Sequence, residues 1–376
     1  MQRTLNKTYA FEEVLSLCLE NKIPFASYRL PGNNSVNTII QKDCKLTELN
    51  GLSGIPERGG FIIAPFTAQD GIKTYIIRPD IVLNDLNYES LIGHVRSIQT
   101  GELNGINRLA PKNTNKRDFI QQVRNTIDKI RSGEFDKVVL SRVKIVEGEF
   151  TSRLIEIFKV LSDSYTNAFV YLFQVKGHCW IGATPEPLIC FENNELTTVS
   201  LAGTRTFTDE NLKVENWNKK ELKEQEYVTQ FIENALSDYN IINYQKTGPY
   251  TKKAGRLLHL RTDFNFDIRE IGDKLHDLIN ALHPTSAVCG MPMERTREYI
   301  IGTEKHEREY YSGFLGPVGI KDKLQLFVNL RCMKVFPDHL ALYVGGGITS
   351  DSIAEDEWEE TEIKAETLLS VVNQIK

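Results

Sequence analysis

The chain has 376 residues, of which 41% are hydrophobic and 25% are charged, and its formal net charge is −5. Because this acidic chain has no dense stripe of lysine and arginine, nucleic acid is not an expected partner. No segment approaches the roughly 18 apolar residues of a membrane helix, and the N-terminus lacks the apolar core of a signal peptide. The six cysteines are scattered without a CxxC pair, which favours a reducing cytoplasm and argues against a zinc site or a disulfide framework.

The first third of the chain is predicted to combine one helix with several short strands. Residues 9–22 have the pattern of a helix, and three apolar runs bounded by glycine and proline predict strands: PFASYRL, GFIIAPF and KTYIIRP. The polar stretch from about 84 to 115 is predicted to cross between layers. Residues 116–132 form an amphipathic pattern that ends at Gly133, as a helix does.

The rest of the chain alternates apolar runs with a few long helical patterns. Strands are predicted at FDKVVLSRVKIVE, NAFVYLFQV, CWIGAT, PLICFE, LTTVSLAG, FLGPVGI, LQLFVNLRCMKVF and HLALYVGGG. Helices are predicted over 217–237, over 267–282 and in the tail that contains EDEWEETEIKAETLL. Runs of antiparallel-type strands broken by long helices predict a layered α+β (α/β) fold. Because no change in composition marks a linker, we expect one intertwined domain over residues 1–376.

Two ionisable residues stand in apolar surroundings. Strand alternation places Lys137 on one face with Val139 and Ser141, so this lysine is expected on the buried face of its strand. Burial disfavours an ammonium group, which suits a lysine that acts as a base near neutral pH. A lysine at a strand start that extends to water explains the pattern as well. Glu186 lies within WIGATPEPLICF, where a carboxyl group suits a general acid, although a solvated glutamate in a turn is the alternative.

Acidic residues on two predicted helices indicate a cation site. Glu357, Glu360 and Lys364 recur at steps of three and four in the last helix, which places them on one face. Glu221 and Glu224 begin a similar face on an earlier helix, and both faces turn apolar farther along. Glu224 and Glu360 would lie in buried surroundings at less cost if they shared a divalent cation such as Mg²⁺. Solvated helix ends are the alternative, since first turns favour glutamate.

Small residues and histidines supply weaker signals. In SLAGTR (200–205), Gly203 would let a ligand approach the backbone and Thr204 offers a hydroxyl group. A hairpin turn explains this segment equally well. His259 and His283 are isolated, and hydrogen-bonded histidines of the core or of turns explain such cases more often than catalysis does.

Two further features concern anions. Arg331 falls within the apolar run LQLFVNLRCMKVF, and a guanidinium group on a mostly apolar strand face requires a carboxylate from the protein or from a ligand. The triplet Gly345, Gly346 and Gly347 could present backbone N–H groups to an anion. A bulge or a loop is an equally good explanation of three glycines.

The order of these motifs resembles that of the chorismate-utilising enzymes. The motifs are KVVLSR, GATPEPL, LAGTR, KEQEYV, LHL, HPTSAVCGMP, HEREYYSGFLGPVG, LRCMKV, YVGGGIT and EWEETEIK. They cover residues 118–373, so residues 116–376 contain the core motifs, whereas residues 1–115 diverge. This family includes isochorismate, salicylate, anthranilate and aminodeoxychorismate synthases. The resemblance implies two stacked antiparallel sheets flanked by helices, with an Mg²⁺-dependent site between the sheets.

The resemblance also implies roles for the ionisable candidates, motif by motif. Lys137 matches the lysine that activates water against the substrate ring, and Glu186 matches the general acid that protonates the departing hydroxyl group. Glu224 and Glu360 match the Mg²⁺ ligands. The remaining metal-proximal carboxylates, which would act beside them or through water, are Glu221 and Glu357.

The substrate contacts follow from the same resemblance. Groups that hold the substrate carboxylates match Arg331, Lys364 and the amides of Gly345, Gly346 and Gly347. Positions close to the substrate ring match Gly203, Thr204 and His259. One departure from the family is Gln225, where most relatives have histidine, and this substitution puts the surroundings of the metal ligand in doubt.

Three residues distinguish the members of this family. Ala202 stands where aminodeoxychorismate synthases usually have a nucleophilic lysine, and no LLES-type tryptophan-binding motif of anthranilate synthases is found. Lys137 argues for water rather than ammonia as the nucleophile. Ala287 stands where salicylate synthases often have threonine.

We therefore expect an isochorismate synthase that serves menaquinone or siderophore biosynthesis. Its substrate would be chorismate and its cofactor Mg²⁺. It is expected in the cytoplasm as a monomer, with no membrane and no glutamine amidotransferase subunit as partners. A salicylate synthase and a silent chorismate-binding protein are the alternatives.

Overall fold

The computed structural model describes residues 2–52, 54–68, 72–83, 88–98, 110–254, 257–320 and 322–375. In these residues the helices and strands are, in chain order, α1 (Gln2–Glu20), β1 (Phe25–Arg29), β2 (Asn37–Ile40), β3 (Thr47–Leu49), β4 (Gly60–Ala64), β5 (Thr74–Ile77), β6 (Ile81–Leu83), α2 (Tyr88–Arg96), α3 (Lys116–Arg131), β7 (Lys137–Glu147), α4 (Leu154–Ser164), β8 (Phe169–Val175), β9 (His178–Thr184), β10 (Pro187–Glu192), β11 (Glu195–Thr206), α5 (Lys219–Asp238), β12 (Gln245–Ala254), β13 (Leu257–Asp267), α6 (Leu275–Leu282), β14 (Gly290–Met291), α7 (Met293–Thr303), β15 (Phe314–Ile320), β16 (Lys323–Val328), β17 (Cys332–Val335), β18 (His339–Ile348) and α8 (Ala354–Ile375).

The strands of the described residues form two nine-stranded sheets. The first sheet has the order β14-β7-β18-β17-β9-β8-β1-β2-β6, and the second has the order β12-β13-β11-β10-β16-β15-β4-β5-β3. Neighbouring strands pair antiparallel, as in the long β7–β18 ladder and the β11–β13 ladder. Strands from the divergent N-terminal part complete both sheets. The predicted fold class, two antiparallel sheets with flanking helices, is confirmed.

The two sheets stack on each other and helices cover their outer faces. Between the sheets, the ring of Phe169 on β8 stacks on that of Phe327 on β16, with centroids 4.2 Å apart. Residues of α1, α4 and α8 pack on the outer face of the first sheet, and residues of α5 and α6 pack on that of the second. Central strands such as β8 and β9 are therefore buried at every position, which explains their continuous apolar runs.

Several predicted boundaries need correction. The helix predicted over 267–282 is wrong in its first half, because β13 continues to Asp267 and pairs there with Glu195 of β11. Two short 3₁₀ turns follow, and α6 begins only at Leu275. The first helix begins at Gln2 rather than at residue 9. In the stretch from 84 to 115, Tyr88–Arg96 forms α2, whereas residues 84–87 and 99–109 lie outside the described residues.

The predicted strand over LQLFVNLRCMKVF is also wrong as a single element. β16 pairs with β10 and β15 in the second sheet, whereas β17 pairs with β9 and β18 in the first. Residues 329–331 carry the chain from one sheet to the other. The crossing lies beside the cavity described next, which explains why polar residues interrupt an apolar run.

Candidate active site

A cavity lies between the sheets and collects most of the predicted site residues. Its lining comprises Val139, Pro185, Glu186, Leu201, Ala202, Gly203, Thr204, Glu224, His259, Ala287, Val288, Tyr311, Leu330, Arg331, Tyr343, Val344, Gly345, Gly346, Gly347 and Lys364. Lys137 contacts this lining through Glu224. Glu221, Glu357 and Glu360 lie outside the lining but contact charged groups around it.

Lys137 begins β7 and is fully buried, as strand alternation predicts. Its Nζ atom lies 3.1 Å from Oε1 of Glu224, which is on α5. The next inward residue of the strand, Val139, lines the cavity. The β7–β18 pairing therefore fixes the lysine at the edge of the cavity, next to a carboxylate from the opposite layer.

Glu186 lies in the short connection between β9 and β10 and is 5% exposed. Its backbone carbonyl accepts a hydrogen bond from the N–H of Val328 at 2.9 Å, which ties the connection to β16. Burial raises the pKa of Glu186 to about 8, against the opposing influence of nearby cations such as Lys137 and Lys364. Near pH 7 this carboxyl group is therefore mainly protonated.

Gly203 and His259 form a second wall of the cavity. The segment SLAGTR is part of β11, with an irregularity in register between Ala202 and Arg205. Gly203 has a φ of +69°, and an added Cβ would lie 3.1 Å from the Trp217 ring, so this position favours glycine. The Gly203 carbonyl accepts a hydrogen bond from Nδ1 of His259 at 2.7 Å.

This hydrogen bond determines the tautomer of His259. With the proton on Nδ1, the other ring nitrogen, Nε2, is an acceptor, and it is buried without a hydrogen-bond partner. Burial lowers the pKa of His259 to about 3, and Arg331 contributes in the same direction. The ring is therefore neutral at physiological pH. Thr204 lies nearby, with its hydroxyl oxygen 3.4 Å from Nδ1.

His283 has a structural environment instead. Its Nε2 atom lies 2.9 Å from the carbonyl oxygen of Pro65, and its ring packs edge-on against Phe314. Burial lowers the pKa of His283 to about 4. This histidine does not line the cavity, in agreement with the core alternative.

Arg331 reaches the cavity from the crossing between the sheets rather than from a strand. Its φ is +48°, a left-handed conformation that no regular strand has. Its carbonyl accepts a hydrogen bond from the N–H of Ala183 at 3.0 Å, and Nη1 donates to Oγ1 of Thr367 at 2.9 Å. Burial lowers the pKa of Arg331. The prediction that Arg331 lies on a strand face is therefore wrong.

The glycine triplet lies inside β18, so it is neither a bulge nor a loop. Val139 and Ser141 of β7 direct their N–H groups away from β18, and their partners in the ladder are Gly347 and Gly345. Antiparallel alternation then directs the N–H groups of these two glycines to the other side of β18. There β17 pairs only as far as Tyr343. The triplet therefore presents two N–H groups, and that of Gly346 remains in the β7–β18 ladder.

Each of the four predicted metal carboxylates is paired with a cation of the chain. The shortest N–O distances are 3.1 Å for Glu224 with Lys137, 2.6 Å for Glu360 with Lys364, 2.5 Å for Glu357 with Lys220 and 3.4 Å for Glu221 with Arg205. Among the described residues no three acidic, histidine or cysteine side chains stand close enough to hold a metal ion in this arrangement. Each carboxylate is therefore neutralised by a cation of the chain itself.

The donor set nevertheless fits a hard divalent cation. An added Cβ at Gly346 would lie 3.3 Å from Glu357 Oε2 and 3.8 Å from Glu360 Oε1, and one at Gly347 would lie 2.3 Å from Glu224 Oε1. Two carboxylates of α8 thus lie beside Gly346 and one carboxylate of α5 lies beside Gly347. Glu357 Oε2 is buried without a hydrogen-bond partner. An unpaired buried carboxylate oxygen is costly, and coordination of Mg²⁺ would satisfy it.

The ionisation of these carboxylates differs with their surroundings. Burial and the neighbouring charge of Glu360 raise the pKa of Glu357 to about 7, against the influence of Lys220. Burial also acts to raise the pKa of Glu224, but Lys137 and other lysines outweigh it and hold that pKa below its usual value.

Sequence reasoning missed Lys220 and Tyr311. Lys220 lies four residues before Glu224 in KKELKEQ, and this helical spacing indicated a shared face. Tyr311 is 3% exposed and lines the cavity, and its hydroxyl group approaches Gly345. It lies within HEREYYSG, where two adjacent tyrosines gave no indication of which one faces inward.

Gln225 points away from the carboxylates. This buried side chain donates to Oγ of Ser200 at 2.7 Å and to Oγ1 of Thr262 at 3.2 Å. The residue therefore joins α5 to β11 and β13. Gln225 would therefore affect the metal ligand Glu224 by setting the position of α5, and not by touching the carboxylate.

Comparison with known proteins identifies the relatives of this chain. The model of the family described as chorismate binding enzyme matches residues 84–373. Isochorismate synthase MenF of Bacillus subtilis is 28% identical over 269 residues, which is 70% of this chain but only 57% of that relative. Isochorismate synthase EntC of Escherichia coli is 29% identical over 284 residues, 73% of this chain and 72% of that relative.

A solved structure agrees with the architecture. The menaquinone-specific isochorismate synthase MenF of Escherichia coli superposes with a TM-score of 0.72 and 20% identity, over 93% of this chain and 88% of that chain. At this identity the likeness establishes the fold alone. In the described residues we find no helix with the length and apolar character needed to cross a membrane.

Proposed function

This chain belongs to the chorismate binding enzyme family, and from that membership we propose that it is an isochorismate synthase. It would convert chorismate to isochorismate with Mg²⁺ as cofactor. The observation that carries the proposal is that Lys137 and Glu186 meet at a single cavity and that burial raises the pKa of Glu186 to about 8. Two titratable groups with different environments are the usual basis for assigning a base and an acid.

The proposed reaction adds one water and releases one water. The oxygen of the first water forms a bond to C2 of the ring and loses a proton to neutral Lys137. Both ring double bonds shift, from C1=C2 to C1=C6 and from C5=C6 to C4=C5, and the C4–O bond breaks as Glu186 gives its proton to the departing hydroxyl group. Atoms and charge balance, so the product is an isomer of the substrate. General acid–base catalysis of this kind typically contributes a factor of about 10²–10⁴.

Cationic and N–H groups of the cavity are suited to a dicarboxylate. Arg331 and Lys364 line it, and the N–H groups of Gly345 and Gly347 point to the open side of β18. A guanidinium group binds a carboxylate with two parallel hydrogen bonds, and backbone N–H groups add fixed partial charges. We assign these four groups to the two substrate carboxylates.

The metal would be held by Glu224, Glu357 and Glu360, with Glu221 close by. When bound, Mg²⁺ would act as a Lewis acid toward the ring carboxylate. Because the protein is acidic overall, the attraction for a dianion has to be local, and the lysines near these carboxylates contribute to it.

Further aspects of the proposal rest on particular residues. Water as nucleophile requires no ammonia supply, so we propose that the protein acts without a glutamine amidotransferase subunit, as a monomer. All six cysteines are free thiols, which supports a reducing cytoplasm as its location. The pathway served is proposed to be menaquinone or siderophore biosynthesis. Ala287 lines the cavity, which favours isochorismate over salicylate as the product.

Product analysis tests this proposal. Purified protein is incubated with chorismate and Mg²⁺, with and without a chelator, and the products are separated by chromatography. We expect isochorismate, and we expect none in the presence of the chelator. Salicylate and pyruvate would assign the protein to the salicylate synthases instead. If no turnover occurs while chorismate binds, a silent binding protein is the better explanation.

The variant Lys137→Ala separates catalysis from binding. It should abolish turnover while calorimetry still detects chorismate binding, because the lysine acts on water and not on the substrate carboxylates. Lys144 lies on the opposite face of the same strand. The variant Lys144→Ala is therefore the control, and we expect it to retain the activity of the wild type. Equal turnover in the two variants would remove Lys137 from the proposed mechanism.

A further inference from the structure

Lys220 links the two helices that carry the proposed metal ligands. It lies in the first turn of α5, and its Nζ atom is 2.5 Å from Oε1 of Glu357 on α8. Glu357 is 1% exposed, and its other oxygen, Oε2, has no hydrogen-bond partner. The ammonium group of Lys220 is therefore the direct counter-ion of this buried carboxylate.

A divalent cation at these carboxylates would compete with the lysines for the same oxygens. Three lysines are paired with the three carboxylates that surround Gly346 and Gly347: Lys137, Lys220 and Lys364. At least one ammonium group has to withdraw before oxygens from both helices can face one ion. Cations that share a carboxylate repel each other, and the repulsion is large where water is scarce.

Lys220 is the lysine that is free to withdraw. Its side chain is 23% exposed, compared with 16% for Lys364 and 0% for Lys137. Lys364 also donates a hydrogen bond to the carbonyl of Gly345 at 2.9 Å, which holds it at the cavity. A partly exposed lysine can extend its ammonium group into water at little cost.

We propose that Lys220 is an internal counter-ion that occupies Glu357 in the metal-free protein and is displaced when Mg²⁺ binds. The inference rests on the proposed function, because it concerns the metal of that reaction. Lys220 would then set the metal affinity from outside the cavity, whose lining does not include it. Its displacement would free both oxygens of Glu357.

The test is calorimetric titration of the protein with MgCl₂ in the absence of chorismate. We expect Lys220→Gln to bind Mg²⁺ roughly tenfold more tightly than the wild type, the effect of removing one partly screened charge. Lys220→Arg keeps the charge and should bind no more tightly than the wild type. Lys219→Gln removes the same charge from the adjacent exposed residue and should change the affinity less than about twofold because of screening.

Two results would overturn the inference. If Lys219→Gln tightens binding as much as Lys220→Gln, the effect is one of net charge and not of displacement. If Lys220→Gln binds Mg²⁺ equally well or more weakly than the wild type, Lys220 does not compete with the metal. Thermal unfolding of each variant checks that the fold is retained.

Failure of the inference can be told apart from failure of the proposed function. A wild type that makes isochorismate with Mg²⁺, and whose Mg²⁺ affinity is unchanged by Lys220→Gln, contradicts the inference alone. A wild type that neither binds Mg²⁺ nor requires it contradicts both, because there is then no metal for Lys220 to compete with.

Discussion

Glu186, which is buried, and Glu224, which is half-buried, lie at the same cavity, yet the pKa values of their carboxyl groups shift in opposite directions. Glu224 lies 3.1 Å from the ammonium group of Lys137, and this and other lysines hold its pKa below the usual value. No ion pair is found for Glu186 in the described part of the chain, and burial raises its pKa to about 8. One residue is therefore suited to hold a cation and the other to donate a proton.

The pH dependence of turnover follows from Glu186. As the proposed general acid it has to be protonated, and with a pKa of about 8 it loses its proton as the pH rises through that value. We expect kcat/KM to fall about tenfold for each pH unit above 8. Glu186→Gln should abolish turnover while chorismate still binds. A profile that stays level from pH 7 to 10 would contradict this role.

Gly347 and Gly346 allow a matched pair of substitutions. A methyl group at Gly347 would lie 2.3 Å from Glu224 Oε1 and 2.9 Å from Lys137 Cε, whereas one at Gly346 has no atom nearer than 3.3 Å. We expect Gly347→Ala to displace both side chains and to lower kcat/KM about 100-fold, since a misplacement of 1 Å can have that effect.

The control variant Gly346→Ala should keep its activity within about tenfold of the wild type. Because the close contacts at Gly347 are the ends of side chains, both variants should unfold at similar temperatures. Steady-state kinetics and thermal unfolding measure the two properties. A similar loss of activity in both variants would show that the effect belongs to the strand and not to Glu224 and Lys137.

Among the elements, α8 is joined to the first sheet by a buried arginine in addition to its apolar contacts. Arg142 on β7 is 1% exposed, and its guanidinium carbon lies 3.9 Å from the ring centre of Trp358. Its Nε atom donates to Oγ1 of Thr361 at 2.6 Å, and Nη2 forms an ion pair with Glu362. Arg142 thus contacts three side chains of α8 and ties this helix to the first sheet. The same helix carries the proposed metal ligands Glu357 and Glu360.

Substitution of Arg142 should therefore destabilise the protein. Arg142→Met removes one partner of a largely buried ion pair, so we expect the free energy of unfolding to fall by about 3 kcal/mol. Lys144 contacts the same Glu362 at 2.5 Å but is 28% exposed, so Lys144→Met should lower it by less than about 1 kcal/mol. Denaturant unfolding measures both. Equal losses would mean that Glu362, and not the buried guanidinium group, accounts for the stability.

Local sequence patterns predicted helices and strands correctly where the pattern agrees with the pairing between distant strands. Alternation placed Lys137 on the inner face correctly, because β7 is a long strand with regular neighbours. The pattern failed over 267–274, because pairing with β11 keeps Asp267 in β13 and two short 3₁₀ turns follow it before α6 begins. It failed again at Arg331, because the register of one strand contains no information about the sheet that the next strand joins. Lys220 was missed because its partner, Glu357, is 137 residues away.

At the scale of the whole molecule, the site is close to electrically neutral before any ligand arrives. Its four carboxylates, Glu221, Glu224, Glu357 and Glu360, are paired with four cations, Arg205, Lys137, Lys220 and Lys364. Arg331, which also lines the cavity, adds one positive charge. Mg²⁺ alone would raise this surplus to three positive charges, and dianionic chorismate alone would leave one negative charge. Both ligands together return the site to its charge before binding, in a region with little water to screen a surplus.

This balance predicts that Mg²⁺ and chorismate bind cooperatively. A coupling free energy of about 1–3 kcal/mol would lower the Kd of each ligand about 5- to 150-fold when the other is present. Glu186→Gln is the suitable protein for calorimetry, because it should not turn over and the amide has the same charge as the protonated acid. The measurement is made at pH 8, which lies above the raised pKa of Glu357 of about 7, so that this carboxyl group is mainly ionised. The Kd of Mg²⁺ measured with and without chorismate gives the coupling directly. Equal values would mean that the two ligands do not share an electrostatic site, and that the carboxylates around Gly346 and Gly347 serve the fold alone.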